Sequence, residues 1–405
     1  MIIGIISKYP PSKKRHTEDG ALAGYTKNLV DNLKIEGDII VYADKLVNSP
    51  ECYYDNNVLI RRVWKRGALF FVSILKKLLE DKPEILHVQH EFFLYGGPAS
   101  ALSFLLLLVG AKLLRRKIVV TIHGIVPLSQ ITIDFVRGNN SILPLSIVRF
   151  VFWFLTRTIQ ALADSTIVHE PKFRTFLVRD YDIEGKKCSV IPHGVEEVED
   201  AVSHDEALEK LKLRGKKVIL HFGYIVWYKG IEILLEAFRI LHSSHGDYYL
   251  IVAGGEHPRY RGQREYDEYV RRLKERAGSI APEAIRFTGF LAEDEVPVYF
   301  AAADVVVFPY TVGMASSGAM SLALAYGRPF IVSDAFRDVV GEDEAVFERT
   351  PASLSELIER ALDDKTFREK LIAISQNLAG KRSWRRVGQL TNDLYKKLAV
   401  ERRSL

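Results

Sequence analysis

The sequence predicts an α/β protein made of two doubly wound, Rossmann-like parallel-sheet domains facing a cleft. Three observations carry that prediction. Short apolar runs rich in β-branched residues alternate with helical spacing through the first half. The same alternation restarts near residue 216. The chain has 405 residues, enough for two domains that each bury a full core.

In order, residues 2–7 read as a buried strand, 22–33 as a helix and 38–43 as a strand. Residues 85–88 and 117–122 read as further strands, with helices over 70–79 and 99–114. Near-continuous apolar strands separated by helices imply a parallel sheet covered on both faces. The second cycle has strands at 217–222, 248–253, 284–287, 305–308 and 329–332, and helices at 231–242 and 266–277. The linker is expected at 194–214, where acidic residues follow Pro192-His193-Gly194, and residues 353–398 read as mostly helical. The expected division is one Rossmann-like domain over 1–195, a second over 196–380, and a last helix over 381–405.

Composition excludes several classes. Hydrophobic residues at 48% and charged residues at 26% are globular values, not disordered or fibrous ones. Lys and Arg number 56 against 51 Asp and Glu, a net charge of +5, which does not mark a nucleic-acid binder. The basic runs Arg61, Arg62, Lys65, Arg66 and Arg115, Arg116, Lys117 read as solvated helix ends, or as contacts for phosphate or an anionic membrane. Cys52 and Cys188 cannot make a disulfide framework or a cysteine-rich zinc site, so a reducing, cytoplasmic setting is expected. The chain opens on an apolar strand without a secretory leader. Residues 92–111 carry no charge, but Gly96, Gly97 and Pro98 interrupt them, which favours a buried helix over a membrane span.

Ligands of such sheets bind beyond the C-terminal ends of the strands, so the loops there hold the candidates. Asp19-Gly20-Ala21-Leu22 is a small-residue turn entering a helix. Gln89-His90-Glu91 and His123-Gly124 end two buried strands, and an imidazole there can meet a sugar hydroxyl or a leaving phosphate. A structural hydrogen bond is the competing role for both histidines. His193 falls at the domain junction, where a turn role competes. In the second half, Gly223-Tyr224 through Lys229-Gly230 joins a strand to a helix, with a glycine for close approach and a lysine beside the helix start. Gly254-Gly255-Glu256 is a second glycine turn. Ser316-Ser317-Gly318-Ala319 opens an apolar helix, and its cap can hold a phosphate. No His, Asp and Glu cluster marks a metal site.

These elements in this order resemble a GT-B glycosyltransferase, specifically a retaining enzyme of family 4, also described as glycosyl transferases group 1. Further matching stretches are Val88-Gln89-His90-Glu91, Thr121-Ile122-His123-Gly124, Ile191-Pro192-His193-Gly194-Val195, Phe287-Thr288-Gly289-Phe290, Phe308-Pro309-Tyr310, Ala325-Tyr326-Gly327-Arg328-Pro329 and Ser383-Trp384. The resemblance implies hexosyl transfer from a nucleotide-diphosphate sugar to a glycan, lipid-linked or small-molecule acceptor. The donor is a co-substrate, and neither a metal nor another cofactor is implied. The resemblance makes 1–195 the acceptor-binding domain and 196–380 the nucleotide-sugar-binding domain, with the helix over 381–405 crossing back to the first domain. It implies catalytic roles for His123 and Lys229. It implies donor contacts at Gly20, Gly223, Tyr224, Lys229, Gly254, Gly255, Glu256, Ser316, Ser317, Gly318 and Ala319. His90, Glu91 and His193 fall near acceptor or sugar.

The chain departs from the family at three positions. The usual glutamate pair, eight residues apart, is replaced by Met314 and Leu322, and the usual arginine after the phosphate-loop glycine is Tyr224. Glu342 or Glu344 is a candidate replacement carboxylate. Two other readings stand beside transfer: a degenerate, non-catalytic GT-B protein that binds sugar or nucleotide, and a GT-B epimerase or phosphorylase. Residues 142–155, with Phe150, Phe152, Trp153 and Phe154, belong with 92–111 as core or as peripheral contact at the cytoplasmic face of a membrane.

Overall fold

The computed structural model describes residues 1–11, 21–47, 49–92, 94–138, 142–198, 202–258, 260–313 and 317–403. The chain forms two compact units. One comprises Met1–Gly194 together with the helix from Trp384 onward, and the other Val195–Gly313 together with Ser317–Ser383.

The first unit is built on an eight-stranded sheet. Its strands are β1 (Ile3–Ile6), β2 (Ile39–Asp44), β3 (Cys52–Asp55), β4 (Val58–Trp64), β5 (Ile85–His90), β6 (Lys117–Ile122), β7 (Ser165–Val168) and β8 (Cys188–Val190). Their order is β3–β4–β2–β1–β5–β6–β7–β8, parallel except where β3 runs antiparallel to β4. β1 and β5 are buried at every position, as a sheet covered on both faces requires.

The hairpin of β3 and β4 is absent from the sequence reading. Its strands alternate buried or half-buried residues with more exposed ones, and Asn56 turns the chain at φ +53°. The hairpin also corrects the reading of the basic run. Arg62 is 2% exposed, and its guanidinium donates to the carbonyls of Tyr9, Pro10 and Asp44 and to the Tyr53 hydroxyl. Arg61 pairs with Asp81 at 3.1 Å. Both arginines are structural ties, not solvated helix ends.

The helix Pro98–Leu113 buries Phe104, Leu107, Leu108 and Ala111 but leaves Leu102, Leu106, Val109 and Leu113 exposed. The expected buried helix is therefore buried on one face only. A second apolar helix, Leu145–Leu162, packs beside it. Its mean hydropathy is 1.3, it is long and apolar enough to cross a membrane, and 22% of it is buried.

The last helix, Trp384–Arg403, docks on the helix Ala21–Asn32 within the first unit. Two glycines make that docking fit. A Cβ on Gly194 would fall on the Trp384 indole, and one on Gly388 would fall on the Asn32 carbonyl.

The second unit has six parallel strands in the order β11–β10–β9–β12–β13–β14. These are β9 (Lys217–Phe222), β10 (Tyr248–Ala253), β11 (Ile285–Gly289), β12 (Val305–Phe308), β13 (Phe330–Ser333) and β14 (Val346–Phe347). The chain order reverses between β9 and β12, so the loops leaving those two strands flank the switch point where open α/β sheets bind ligands. The segment expected as linker contains a helix, His204–Leu211, closed by a Ser203 and Glu206 capping box.

Candidate donor site and histidine network

The donor-site candidates of the second unit converge on three loops. After β9 the chain passes Gly223 at φ +130°, a conformation L side chains rarely adopt. A Cβ at Gly223 would fall on the Lys229 ammonium and lie 3.6 Å from the Ala319 methyl. Glycine is therefore what lets the lysine and the start of helix Gly318–Ala325 reach one point. Lys229 ends a single 3-10 turn, Trp227–Lys229, and Gly230 follows at φ +66°, pressed so close to the Pro309 carbonyl that a Cβ would collide with it.

Lys229 Nζ sits 5.2 Å from the centre of the Tyr310 ring. Among the described residues no carboxylate pairs with it. Burial draws its pKa down to about 8. On β9, His221 donates from Nδ1 to the Val307 carbonyl at 3.0 Å, and burial together with the Lys229 charge pushes its pKa down to about 3. The only cationic group brought to the glycine loop by this pair is thus the lysine. Ser317 Oγ accepts from the Met320 amide at 3.2 Å and lies 3.1 Å from the Tyr310 hydroxyl, which fixes the helix start. Gly318 and Ala319 form its first turn.

The second loop is equally close-packed. Gly254, at φ +134°, would drive a Cβ into the Gly223 carbonyl, and its amide donates to the Gly289 carbonyl at 3.1 Å. The Gly255 carbonyl accepts from the Ile225 amide at 3.0 Å. Glu256 pairs with Arg261 at 3.6 Å and Lys274 at 3.9 Å. The Tyr224 ring lies 5.0 Å from that of His257. Leu322 packs against the core cluster, so its side chain serves the interior. Glu342 and Glu344 are exposed. Gly20, Met314 and Ser316 lie outside the described residues.

His245, Glu359 and Asp363 bring their ligand atoms within 4.8 Å of one another, beside the N-terminal end of β9. Asp363 is already engaged there by Lys217 at 2.6 Å and by the Tyr248 hydroxyl at 2.8 Å.

In the first unit, His123 is held from both sides. Its Nε2 lies 2.8 Å from Gln89 Oε1, and its Nδ1 lies 3.1 Å from His169 Nε2. His169 donates from Nδ1 to the Ile191 carbonyl at 2.9 Å. On the other side, Gln89 Nε2 lies 3.4 Å from His87 Nε2. His87 also meets Thr121 Oγ1 at 2.6 Å and the Tyr395 hydroxyl at 2.5 Å. Burial holds His87 down to about 3 and His123 well below the ordinary imidazole value, with the neighbouring histidines adding to the second shift.

The Tyr25 ring anchors the group, 4.7 Å from His123, 5.3 Å from His193 and 5.0 Å from Trp384. His193 thus belongs to this aromatic cluster. His90 ends β5 and is 6% exposed, 4.6 Å from Phe104, with its pKa pushed down to about 4 by burial. It lines a cavity of about 10 Å³, the room of about one water, together with Phe92, Gly124, Thr156 and Tyr181. Glu91 is exposed just beyond β5. His87, His169, Tyr25 and Tyr395 escaped sequence reasoning, and Gln89 and Tyr310 enter it only as parts of matching stretches, without a role. For His87 and Gln89 a signal existed: two polar residues two apart in an apolar strand share one face.

Two doubly wound parallel-sheet units are the GT-B architecture, and comparison with known proteins gives the family. Residues 25–198 match the model Glycosyltransferase Family 4, and residues 216–364 match Glycosyl transferases group 1. The chain is a family 4-like glycosyltransferase.

It is 26% identical over 340 residues to the alpha-monoglucosyldiacylglycerol synthase of Streptococcus pneumoniae, covering 80% of this chain and 69% of that enzyme. It is 26% identical over 195 residues to the mannosylfructose-phosphate synthase of Agrobacterium fabrum, covering 43% of this chain and 42% of the enzyme. In fold it is similar to sucrose-phosphate synthase from Thermosynechococcus elongatus, with a TM-score of 0.74, 16% identity and 99% of each chain covered. It is also similar to Anabaena HepE in complex with UDP, with a TM-score of 0.69, 14% identity, and 98% and 99% covered.

Proposed function

We propose that this enzyme transfers a hexosyl group, with retention, from a nucleotide-diphosphate sugar held by the second unit to an acceptor held by the first. One observation carries the reading: the Lys229 ammonium, the Gly223 backbone and the first turn of helix Gly318–Ala325 meet at one point. That is a site for a diphosphate leaving group, where a lysine and helix amides neutralise the charge that develops as the glycosidic bond breaks. Solved proteins of the same fold titled as complexes with UDP and with UDP-glucose support it. Retention rests on the family resemblance, in which front-face attack assisted by the leaving phosphate needs no enzymic nucleophile. In this reading His123 reaches a sugar hydroxyl by exchanging one of its two ring partners. Lys229→Ala is expected to lower kcat/KM for transfer about 10²- to 10³-fold while the melting profile stays native. Unchanged transfer would overturn the assignment, and a product panel separates transfer from epimerisation or phosphorolysis.

A specific observation favours a lipid-linked acceptor, met at the cytoplasmic face of a membrane. The exposed Leu102, Leu106 and Leu113 belong to one helix, and the exposed Ile147, Phe150 and Phe154 to the helix packed beside it. Between Glu91 and Asp164 the bases are Lys112, Arg115, Arg116, Lys117, Arg137, Arg149 and Arg157 against Asp134, with Lys112 and Lys117 paired to Asp164 and Arg157 to Asp182. Apolar side chains flanked by bases suit an anionic bilayer surface, at roughly 1.5–3 kcal/mol per fully buried Leu or Phe. The Streptococcus pneumoniae relative is named for a lipid glycoside, which agrees. The protein is expected to float with phosphatidylglycerol-containing vesicles, and the Leu106→Glu, Phe150→Glu double variant to sediment. Wild-type protein left at the bottom of the gradient would refute membrane contact without touching the transfer reading.

A further inference from the structure

With Gln89 Oε1 2.8 Å from His123 Nε2, the hydrogen bonds around His123 fit one another only while the histidine pair holds an extra proton; for the neutral pair Gln89 must turn over. The Ile191 carbonyl can only accept, so His169 Nδ1 carries a proton. The 3.1 Å between His169 Nε2 and His123 Nδ1 then needs a single proton between them. When the pair holds no extra proton, that proton belongs to His123 Nδ1. His123 Nε2 is then bare and takes a hydrogen bond from the Gln89 amide nitrogen. When the pair holds one more proton, on either ring, His123 Nε2 carries a hydrogen and requires the amide oxygen. The Gln89 side chain, 2.8 Å away, fits both states by turning over, since its two ends differ only in what they donate or accept.

The consequence runs along β5. With the amide nitrogen toward His123, the amide oxygen faces His87 Nε2, which then donates, and His87 Nδ1 accepts from the Tyr395 hydroxyl. With the amide turned over, His87 Nε2 accepts and Nδ1 donates to Tyr395. Thr121 Oγ1 can donate or accept and follows either state. The hydrogen bonds from His123 through Gln89 to His87 and the Tyr395 hydroxyl therefore reverse together.

We infer that Gln89 is a proton-coupled amide switch: the Ile191 carbonyl, through His169, sets the tautomer of His123, and Gln89 and Tyr395 act as positioning residues that turn with each protonation state and stabilise it. This rests on the reading of His123 as part of the transfer site only for its effect on rate; the tautomers are independent of it. In the neutral state His123 bears its hydrogen on Nδ1, the less usual tautomer. Among the described residues, Tyr25, His90 and His193 also face the rings, and Glu170 and Lys172 are buried charges next in the chain.

Nitrogen-15 spectra of the full-length protein labelled at histidine test the inference, with His123 assigned by comparison with His123→Asn. At pH 7 the expected state is His123 and His169 protonated at Nδ1 and His87 at Nε2. A His123 ring protonated at Nε2 at that pH would overturn it. Gln89→Glu presents only acceptor oxygens, so the pair should keep its extra proton to a pH at least one unit higher. The acid limb of the kcat pH profile should move with it. A merely structural Gln89 would lower the melting temperature and leave both the tautomers and that limb in place. If Gln89→Glu fails to fold, the wild-type tautomers alone decide.

Discussion

Lys229 shows how much a single side chain depends on its surroundings. The sequence placed a lysine before a helix, but its significance comes from Gly223, whose missing side chain leaves room for the ammonium. Burial lowers its pKa to about 8, below the ordinary lysine value near 10.4. In the folded protein without ligand, this lysine binds its proton less tightly than in the unfolded chain. Its contribution therefore lowers stability below about pH 8 and is relieved as pH rises toward the unfolded value. A bound diphosphate favours the charged form and draws a proton back. Donor KM is accordingly expected to rise about tenfold per pH unit above pH 8, and Lys229→Arg to flatten that rise. A donor KM constant from pH 7 to 9.5 would contradict it. The residues hardest to read in advance were those whose partners are remote in sequence. Nothing in the local pattern at Arg62 announces that carbonyls at 9, 10 and 44 surround its guanidinium.

At the scale of elements, strands were legible where burial on both faces leaves an uninterrupted apolar run, as in β6, β9, β10 and β12. The hairpin of β3 and β4 sits at the sheet edge, where half-exposed positions admit polar residues and the run disappears. The last helix was legible as a helix, and its docking was expected only from the family resemblance. Two glycines, Gly380 in the preceding helix Lys365–Lys381 and Gly388 in the last helix, contrast an open helical position with a docked one. Gly380 is exposed, with open space where a side chain would go, whereas Gly388 lies against the Asn32 carbonyl. Gly380→Ala is expected to be neutral or to stabilise by up to about 1 kcal/mol. Gly388→Ala is expected to destabilise by about 1–3 kcal/mol, the usual cost of overpacking. A Gly388→Ala denaturation midpoint equal to that of the unaltered protein would show that the last helix is not held by that close approach.

For the whole molecule, buried histidines set the response to acid. His87, His90 and His123 lie in the first unit and His221 in the second, all with pKa values lowered by burial. Each unfolded imidazole takes a proton near pH 6.5 that its folded counterpart refuses, so stability falls as pH drops below that value. The slope approaches about 1.4 kcal/mol per pH unit for each such group. The first unit carries more of them and is expected to unfold first on acidification. Trp64, Trp153 and Trp384 lie in the first unit and Trp227 in the second. Fluorescence of the Trp227→Phe protein should therefore depart from its native value at a higher pH than far-ultraviolet dichroism does; coincident transitions would refute the order.

The return of Trp384–Arg403 to the first unit also sets an order of assembly during synthesis. The part of the first unit over residues 1–194 lacks Trp384 against Gly194 and Tyr395 against His87 until the segment after the second unit has been synthesised. The second unit is then an insertion within the first and has all of its own strands available earlier. A stop codon shortly before residue 384 would leave an unclosed aromatic cluster around Tyr25, a surface that chaperones and proteases recognise in unfinished chains.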